Sequence, residues 1–303
     1  MRFRLLTAVL TILIGIAPAF ALTLDGQEGD ASFGFLKFSL SPRSIALGGA
    51  GMALVDGVAD VDLNPAAAAR DSGGIALGQG YLPFGSKANY VSWNIPWKDQ
   101  RITVQARYLG EENIPGWSDL PFRSTAAYGA HTLKLQAGTA GNVLGFAYGV
   151  SAAYAQNNIA DVTYETGLLN AGLWHELPAG FSTGFSVLNA DFWTTNGRDG
   201  SKIIPPTAVQ AGLAYTRNIP GHTRLSLAVD ARKRNDEKLA IPVGVEACWQ
   251  NLLSVRAGYP FQEPEASPAF GLGLHWSRYG FDYEYQGNAE LSGAHFWALE
   301  VSY

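Results

Sequence analysis

The chain has 303 residues, 47% of them hydrophobic and 16% charged, with a formal net charge of −5 and a mean hydropathy of +0.02. This mild acidity argues against a nucleic-acid partner, and a single cysteine, Cys248, excludes an internal disulfide. No run beyond residue 21 is long and apolar enough to cross a membrane as a helix.

The chain opens with a targeting pattern. Arg2 and Arg4 form a positive start, Leu5 to Ile16 an apolar stretch, and Ala19-Phe20-Ala21 a small-x-small cleavage site, so residues 1–21 are expected to be a signal peptide removed near Ala21. Its removal takes two positive charges and carries the net charge from −5 to −7. Residues 22–72 do not alternate. They are rich in Gly and Ala, and the spacing predicts a segment that folds tightly inside something larger, a hatch or plug. Within it lie Ser41-Pro42-Arg43-Ser44-Ile45-Ala46-Leu47-Gly48-Gly49, then Asp56, and Asn64-Pro65-Ala66.

From residue 73 to 303 the sequence reads as about fourteen strands, the number that tilted membrane strands with short turns would fit into this length. The first eight are expected near 74–82, 89–97, 101–110, 124–137, 144–155, 162–175, 180–188 and 208–216. Val91, Trp93, Ile95 and Trp97 alternate with Tyr90, Ser92 and Asn94, whereas 162–175 alternates poorly. The last third alternates throughout. Leu225, Leu227, Val229 and Ala231 face away from Arg224, Ser226, Asp230 and Arg232. Tyr279, Phe281, Tyr283 and Tyr285 face away from Gly280, Asp282 and Glu284. Period-two alternation means strands with two unlike faces. A soluble sandwich would bury the apolar face and wet the other. Here the apolar face is bulky and often ends in Trp or Tyr, while the other carries Gly, Ser and isolated charges of both signs. Aromatic ends suit the two membrane interfaces, and small residues with mixed charge suit a filled lumen. The expected fold is therefore all-β: an antiparallel transmembrane barrel with an N-terminal plug, surrounded by outer-membrane lipids.

The N-terminal motifs quoted above resemble the signature of the PorV/PorQ family, which is related to FadL-type outer-membrane transporters. Pro205-Pro206-Thr207, Asp230, Gly244-x-Glu246, Val255-Arg256-Ala257-Gly258-Tyr259, Asp282-Tyr283 and His295 extend the resemblance downstream. It implies a hatch carrying Arg43, Gly48, Gly49, Asp56, Asn64, Pro65 and Ala66, in the outer membrane of a Gram-negative cell. It also implies a non-enzymatic accessory or shuttle role in type IX secretion, with secretion-system proteins or secreted cargo as partners. The alternative is a FadL-like channel for a hydrophobic small molecule.

Other motifs carry less. Gly180-Phe181-Ser182-Thr183-Gly184 matches the nucleophile-elbow spacing, but that motif needs a strand-to-helix turn and here the alternation runs through it. Asp60-Val61-Asp62-Leu63-Asn64 mimics the start of a calcium loop, yet Pro65 stands where the turn glycine belongs. The five histidines show no ligand spacing, so neither a metal nor another cofactor is expected. Arg224, Asp230, Arg232, Glu246, Arg256, Asp282, Glu284 and Glu300 all fall on the inward parity. They would form either an ion-pair network between strands and hatch or a polar path for solute.

Overall fold

The computed structural model describes residues 31–117, 124–197, 200, 202–263, 267–288 and 292–303. The signal-peptide reading of residues 1–21 and the first residues of the expected hatch lie outside them. Fourteen antiparallel strands close into one barrel, each paired with its sequence neighbours and β1 with β14. They are β1 (Gly74–Tyr81), β2 (Lys87–Trp97), β3 (Gln100–Trp117), β4 (Ser124–Val143), β5 (Phe146–Ile159), β6 (Val162–Glu176) and β7 (Phe181–Thr194). The second half comprises β8 (Ala208–Ile219), β9 (Thr223–Arg234), β10 (Ile241–Trp249), β11 (Leu253–Phe261), β12 (Ala269–Trp276), β13 (Tyr279–Gln286) and β14 (Ala294–Ser302). Closure pairs the strand backbones without an open edge, which a lipid environment requires.

The two ends differ. Where β1 begins and β14 finishes, the connections take two to four residues. Leu144 and Gly145, with φ of 51° and 84°, make one of these hairpins in the left-handed pair that matches strand twist. At the other end the connections reach residues 195–207 at their longest. These are called the turn end and the loop end below.

The outside of the barrel is apolar. Leu77, Val255, Leu272, Phe281 and Leu299 stand exposed around its middle. Trp93, Trp97, Trp249, Trp276, Tyr279 and Tyr303 ring the turn end, where Trp93 Nε1 donates to Tyr303 Oη at 2.7 Å. Tyr81, Tyr108 and Tyr285 mark the loop end. An apolar band between aromatic girdles is what a bilayer dictates for a barrel's exterior.

Two expectations about strand geometry change. Strand β3 runs past residue 110, because the Glu111 to Gly116 stretch, loop-like in composition, continues the ladder with register shifts at Ile114. Strand β4 runs past 137, because residues 138–143 pair with the start of β3 and with β5. The poor alternation of β6 has a cause on its inward face, where Leu168 and Trp174 are apolar and pack with residues of the N-terminal segment. Its pairing with β7 also carries irregularities between Gly167 and Leu168 and between Leu169 and Ala171. Both put their extra residues on β7, so β6 keeps one inward parity through Thr166, Leu168, Asn170, Gly172 and Trp174, and Leu168 is fully buried on it.

Residues 31–73 pack against the inner faces of the strands. Ser32 donates its N–H to Ile204 O at 2.8 Å near the loop end, and the chain reaches β1 at the turn end. Between them lie helix α1 (Pro42–Ala46) and 3₁₀ turns at Gly34–Lys37, Val58–Asp62 and Pro65–Ala69. Among the described residues, this segment contributes 17 of the 38 buried apolar ones, including Leu47, Met52, Val55, Val58, Val61 and Ala66.

Candidate functional site

The lumen is where the unlike faces of the sequence meet, and the segment decides its shape. Pro42 sits in the first turn of α1, where its missing N–H costs nothing. Ser41 caps that helix and donates its hydroxyl to Asp60 at 2.7 Å. Asn64 caps the last 3₁₀ turn, accepting from Ala66 N at 3.0 Å and donating to Leu173 O of β6 at 3.1 Å. Pro65 lies flat on Gly149 of β5; a side-chain carbon at that glycine would sit 2.2 Å from Pro65 O. Ala66 is buried beside it.

Strands hold the segment by capping its backbone. Ser92 donates to Val58 O, Asn94 to Ala68 O, and Trp174 and Ser182 both to Ala53 O, at 2.8–3.1 Å. Ser182 is thus an inward residue of β7 bonded to the segment. Carboxylates of the wall accept from the segment's amides: Glu284 from Ala46 N at 2.8 Å, and Asp230 from Gly51 N and Met52 N at 3.0 Å each. Gly48 and Gly49 take φ of 67° and 85°, a left-handed turn that brings the chain against Tyr259 of β11.

The charges sort into separate groups. Arg43 grips Glu246 of β10 with two hydrogen bonds of 2.9 Å and gives Nη1 to Leu54 O at 2.8 Å and to Asp56. Glu246 also accepts from Arg256 Nε at 2.7 Å, and Arg256 reaches on to Asp282. Burial disfavours the charge on Arg43, but Asp56 and Glu246 more than restore it, holding the guanidinium well above its ordinary range. Arg224 and Glu300 line the same turn-end space without joining this chain of pairs, and Arg232 pairs with Glu263 near the loop end. The eight inward charges thus divide: Arg224, Glu246, Arg256, Asp282 and Glu300 border one turn-end cavity, Asp230 and Glu284 bind the segment's amides, and Arg232 lies near the loop end.

A second buried group went unread in the sequence. Asp62 receives Arg107 Nη1 of β3 and Lys134 Nζ of β4, the latter at 2.9 Å, with all three side chains nearly inaccessible. Burial pushes its carboxyl up, yet the two cations overcome this and hold it at about 2 against an ordinary 3.8. Asp60 turns instead toward Ser41 and Asp56 N, so the calcium-like run splits its acids between different partners. Arg107 and Lys134 fall on the inward parity of their strands, and that signal was available in the sequence.

Cavities lie on both sides of α1. One of about 360 Å³ opens at the loop end and is lined by Leu36, Phe38, Ile45, Leu63, Leu188 and Phe296 together with charged side chains. Phe38 is half exposed within it. At the turn end, cavities of about 310 and 250 Å³ are polar, bordered by Arg43, Asp56, Arg224 and neighbours. Ser44 and Ile45 face the first cavity, and Pro42 and Arg43 the second.

Fold and lumen together define a closed 14-stranded barrel of the outer-membrane type. No protein-family model and no curated protein matches the sequence. The fold is similar to that of the CymD monoaromatic hydrocarbon channel, with 13% identity, 88% of this chain and 98% of that one covered, and a TM-score of 0.61. It is similar also to the Pseudomonas putida toluene transporter TodX, with 12% identity, 92% and 98% covered, and a TM-score of 0.55. A Pseudomonas aeruginosa FadL homologue aligns with 10% identity, 86% and 97% covered, and a TM-score of 0.52. These likenesses establish shared architecture. They give the narrower PorV/PorQ assignment and the type IX secretion reading no support.

Proposed function

We propose that the chain is a non-enzymatic outer-membrane channel for small hydrophobic compounds, entered from the loop end and closed at its waist by the N-terminal segment. The observation that carries this reading is the cavity beside α1, where Phe38, Phe296, Ile45 and Leu63 offer apolar surface inside an otherwise polar lumen. A concave site that sets apolar surface beside polar groups able to fix orientation suits a small ligand, and the barrel shares its fold with a monoaromatic hydrocarbon channel and a toluene transporter. Removal of residues 1–21 would deliver residues 22–303 to the outer membrane of a Gram-negative cell, with residues 22–72 as the hatch and 73–303 as the barrel. Arg43, Asp56, Asn64 and Pro65 then act as anchors of the closure. The inward charges serve mainly to fix the segment against the wall. No secretion-system partner or secreted cargo is proposed.

The test is uptake of a labelled alkylbenzene by Gram-negative cells producing the protein, compared with cells producing Phe38→Asp at the same outer-membrane level. The proposal expects faster uptake with the wild type and loss of the gain with the variant. Equal uptake with and without the protein would remove the channel reading.

A further inference from the structure

The loop-end cavity has a corner that its ion pairs leave unused. Gln286 ends β13 on the inward parity, and its paired neighbours are Ala269 of β12 and Ala294 of β14. Both are too short to reach its amide. Gly287 donates its N–H to Pro268 O at 3.0 Å, which pins the strand end and keeps Gln286 turned inward. The side-chain amide makes no hydrogen bond among the described residues, and it lines the cavity together with Phe38 and Phe296. It offers two donors and one acceptor to whatever enters.

The described cations lining the same space are already paired. Lys37 pairs with Asp236 at 2.5 Å and Glu237 at 3.0 Å, Arg234 with Glu237, and Arg232 with Glu263. Among the described residues lining the cavity an incoming carboxylate would find no free cation, and it would face Glu237 and Glu263. A bare hydrocarbon would bury the Gln286 amide without a partner, which is costly. We infer that the loop-end cavity takes a neutral monocyclic aromatic compound bearing one hydrogen-bonding oxygen, such as an alkylphenol. Its ring lies against Phe38 and Phe296 and its oxygen on the Gln286 amide. This rests on the channel reading and narrows its substrate class. A site built to hydrogen-bond a hydroxyl rejects the analogue lacking it far better than an apolar pocket can reject an added hydroxyl.

The test is equilibrium dialysis of 4-ethylphenol, ethylbenzene and 4-ethylbenzoate against the full protein in nanodiscs, corrected with empty nanodiscs. The phenol is expected to bind about tenfold tighter than either other compound, the scale of one satisfied buried hydrogen bond. Gln286→Leu should bring the phenol down to the level of ethylbenzene and leave ethylbenzene unweakened, while Phe38→Ala should weaken both. Ethylbenzene binding as tightly as the phenol, benzoate binding tighter, or unchanged selectivity in Gln286→Leu would overturn the inference. Cellular uptake of ethylbenzene separates the two claims. Uptake without phenol preference overturns this inference and keeps the channel, whereas phenol-selective binding without uptake of any compound supports the site and removes the channel.

Discussion

Two arcs of the same wall meet the N-terminal segment by different means. From β5 to β12 the inward positions include a run of glycines, 149, 172, 184, 212, 244, 258 and 271. The segment touches the strands directly there, with the side chains of Asn64 and Pro65 on Gly172 and the backbone of Met52 on Gly184 and of Leu47 on Gly244 and Gly258. From β2 to β4 the inward positions are Asn94, Gln105, Arg107, Lys134 and Gln136, all buried. Here long polar side chains span the gap. The first arc adds to its hydrogen bonds and the Arg43–Glu246 pair a hold by shape, through contacts that any added carbon would spoil. The second holds it by charge and hydrogen bonds, which fail when one partner is removed. The segment is thereby pressed against one side and tethered to the other.

The largest effect should come from breaking the tether. Asp62→Ala leaves Arg107 and Lys134 buried without their carboxylate, a loss of about 3–5 kcal/mol. Chemical unfolding of the reconstituted barrel would measure it, and a loss confined to protease protection of the segment would show that the strands stand without it. Next, an outward substitution should ignore the difference between the arcs. Phe281→Arg places a charge on the lipid face at mid-height, expected to cost about 2–4 kcal/mol and to slow heat-modifiable assembly. Asp282→Asn, on the inward parity, leaves Arg256 still paired with Glu246 and should assemble close to normally.

On the shape-held arc, Gly172→Ala would drive a carbon to 1.9 Å from Asn64 Oδ1. Overpacking of this kind costs about 1–3 kcal/mol, read as faster proteolysis of the segment. Gly34→Ala, which meets nothing within 4 Å, is the matched control. The smallest effect concerns acid. The depressed carboxyl of Asp62 contributes stability that is full above an unfolded value of about 3.9 and declines as pH falls through about 2. The segment should therefore loosen first at its β3–β4 side between those limits, and Asp62→Asn should lose that part of the pH dependence.

How much of this the sequence disclosed follows from the range of each interaction. Alternation such as Tyr279-Phe281-Tyr283-Tyr285 is local, and it placed the strands and their lipid faces correctly. The strand β6 resisted because its inward face carries apolar Leu168 and Trp174, whose partners lie in the N-terminal segment more than a hundred residues away. Inward glycines were legible as small residues, but what each admits is a contact more than sixty residues away, such as Gly258 with Leu47. Arg43, Glu246, Arg256 and Asp282 were each identified, while their joining into one chain of pairs needed the tertiary structure. Asp62 was overlooked because it sat in a run that imitates a calcium loop, and its two cations lie on other strands. Gln286 gave no signal beyond its parity, since its interest comes from the alanines beside it.

The central claim is that the N-terminal segment closes the lumen of a barrel able to stand on its own pairing. Single-channel recording in planar bilayers, comparing the full chain with a variant lacking residues 25–68 and confirmed as assembled by heat-modifiable mobility, tests this most directly. The account predicts low conductance from the full chain and a clear rise in the shortened one. An assembled variant that conducts no more than the full chain would contradict it.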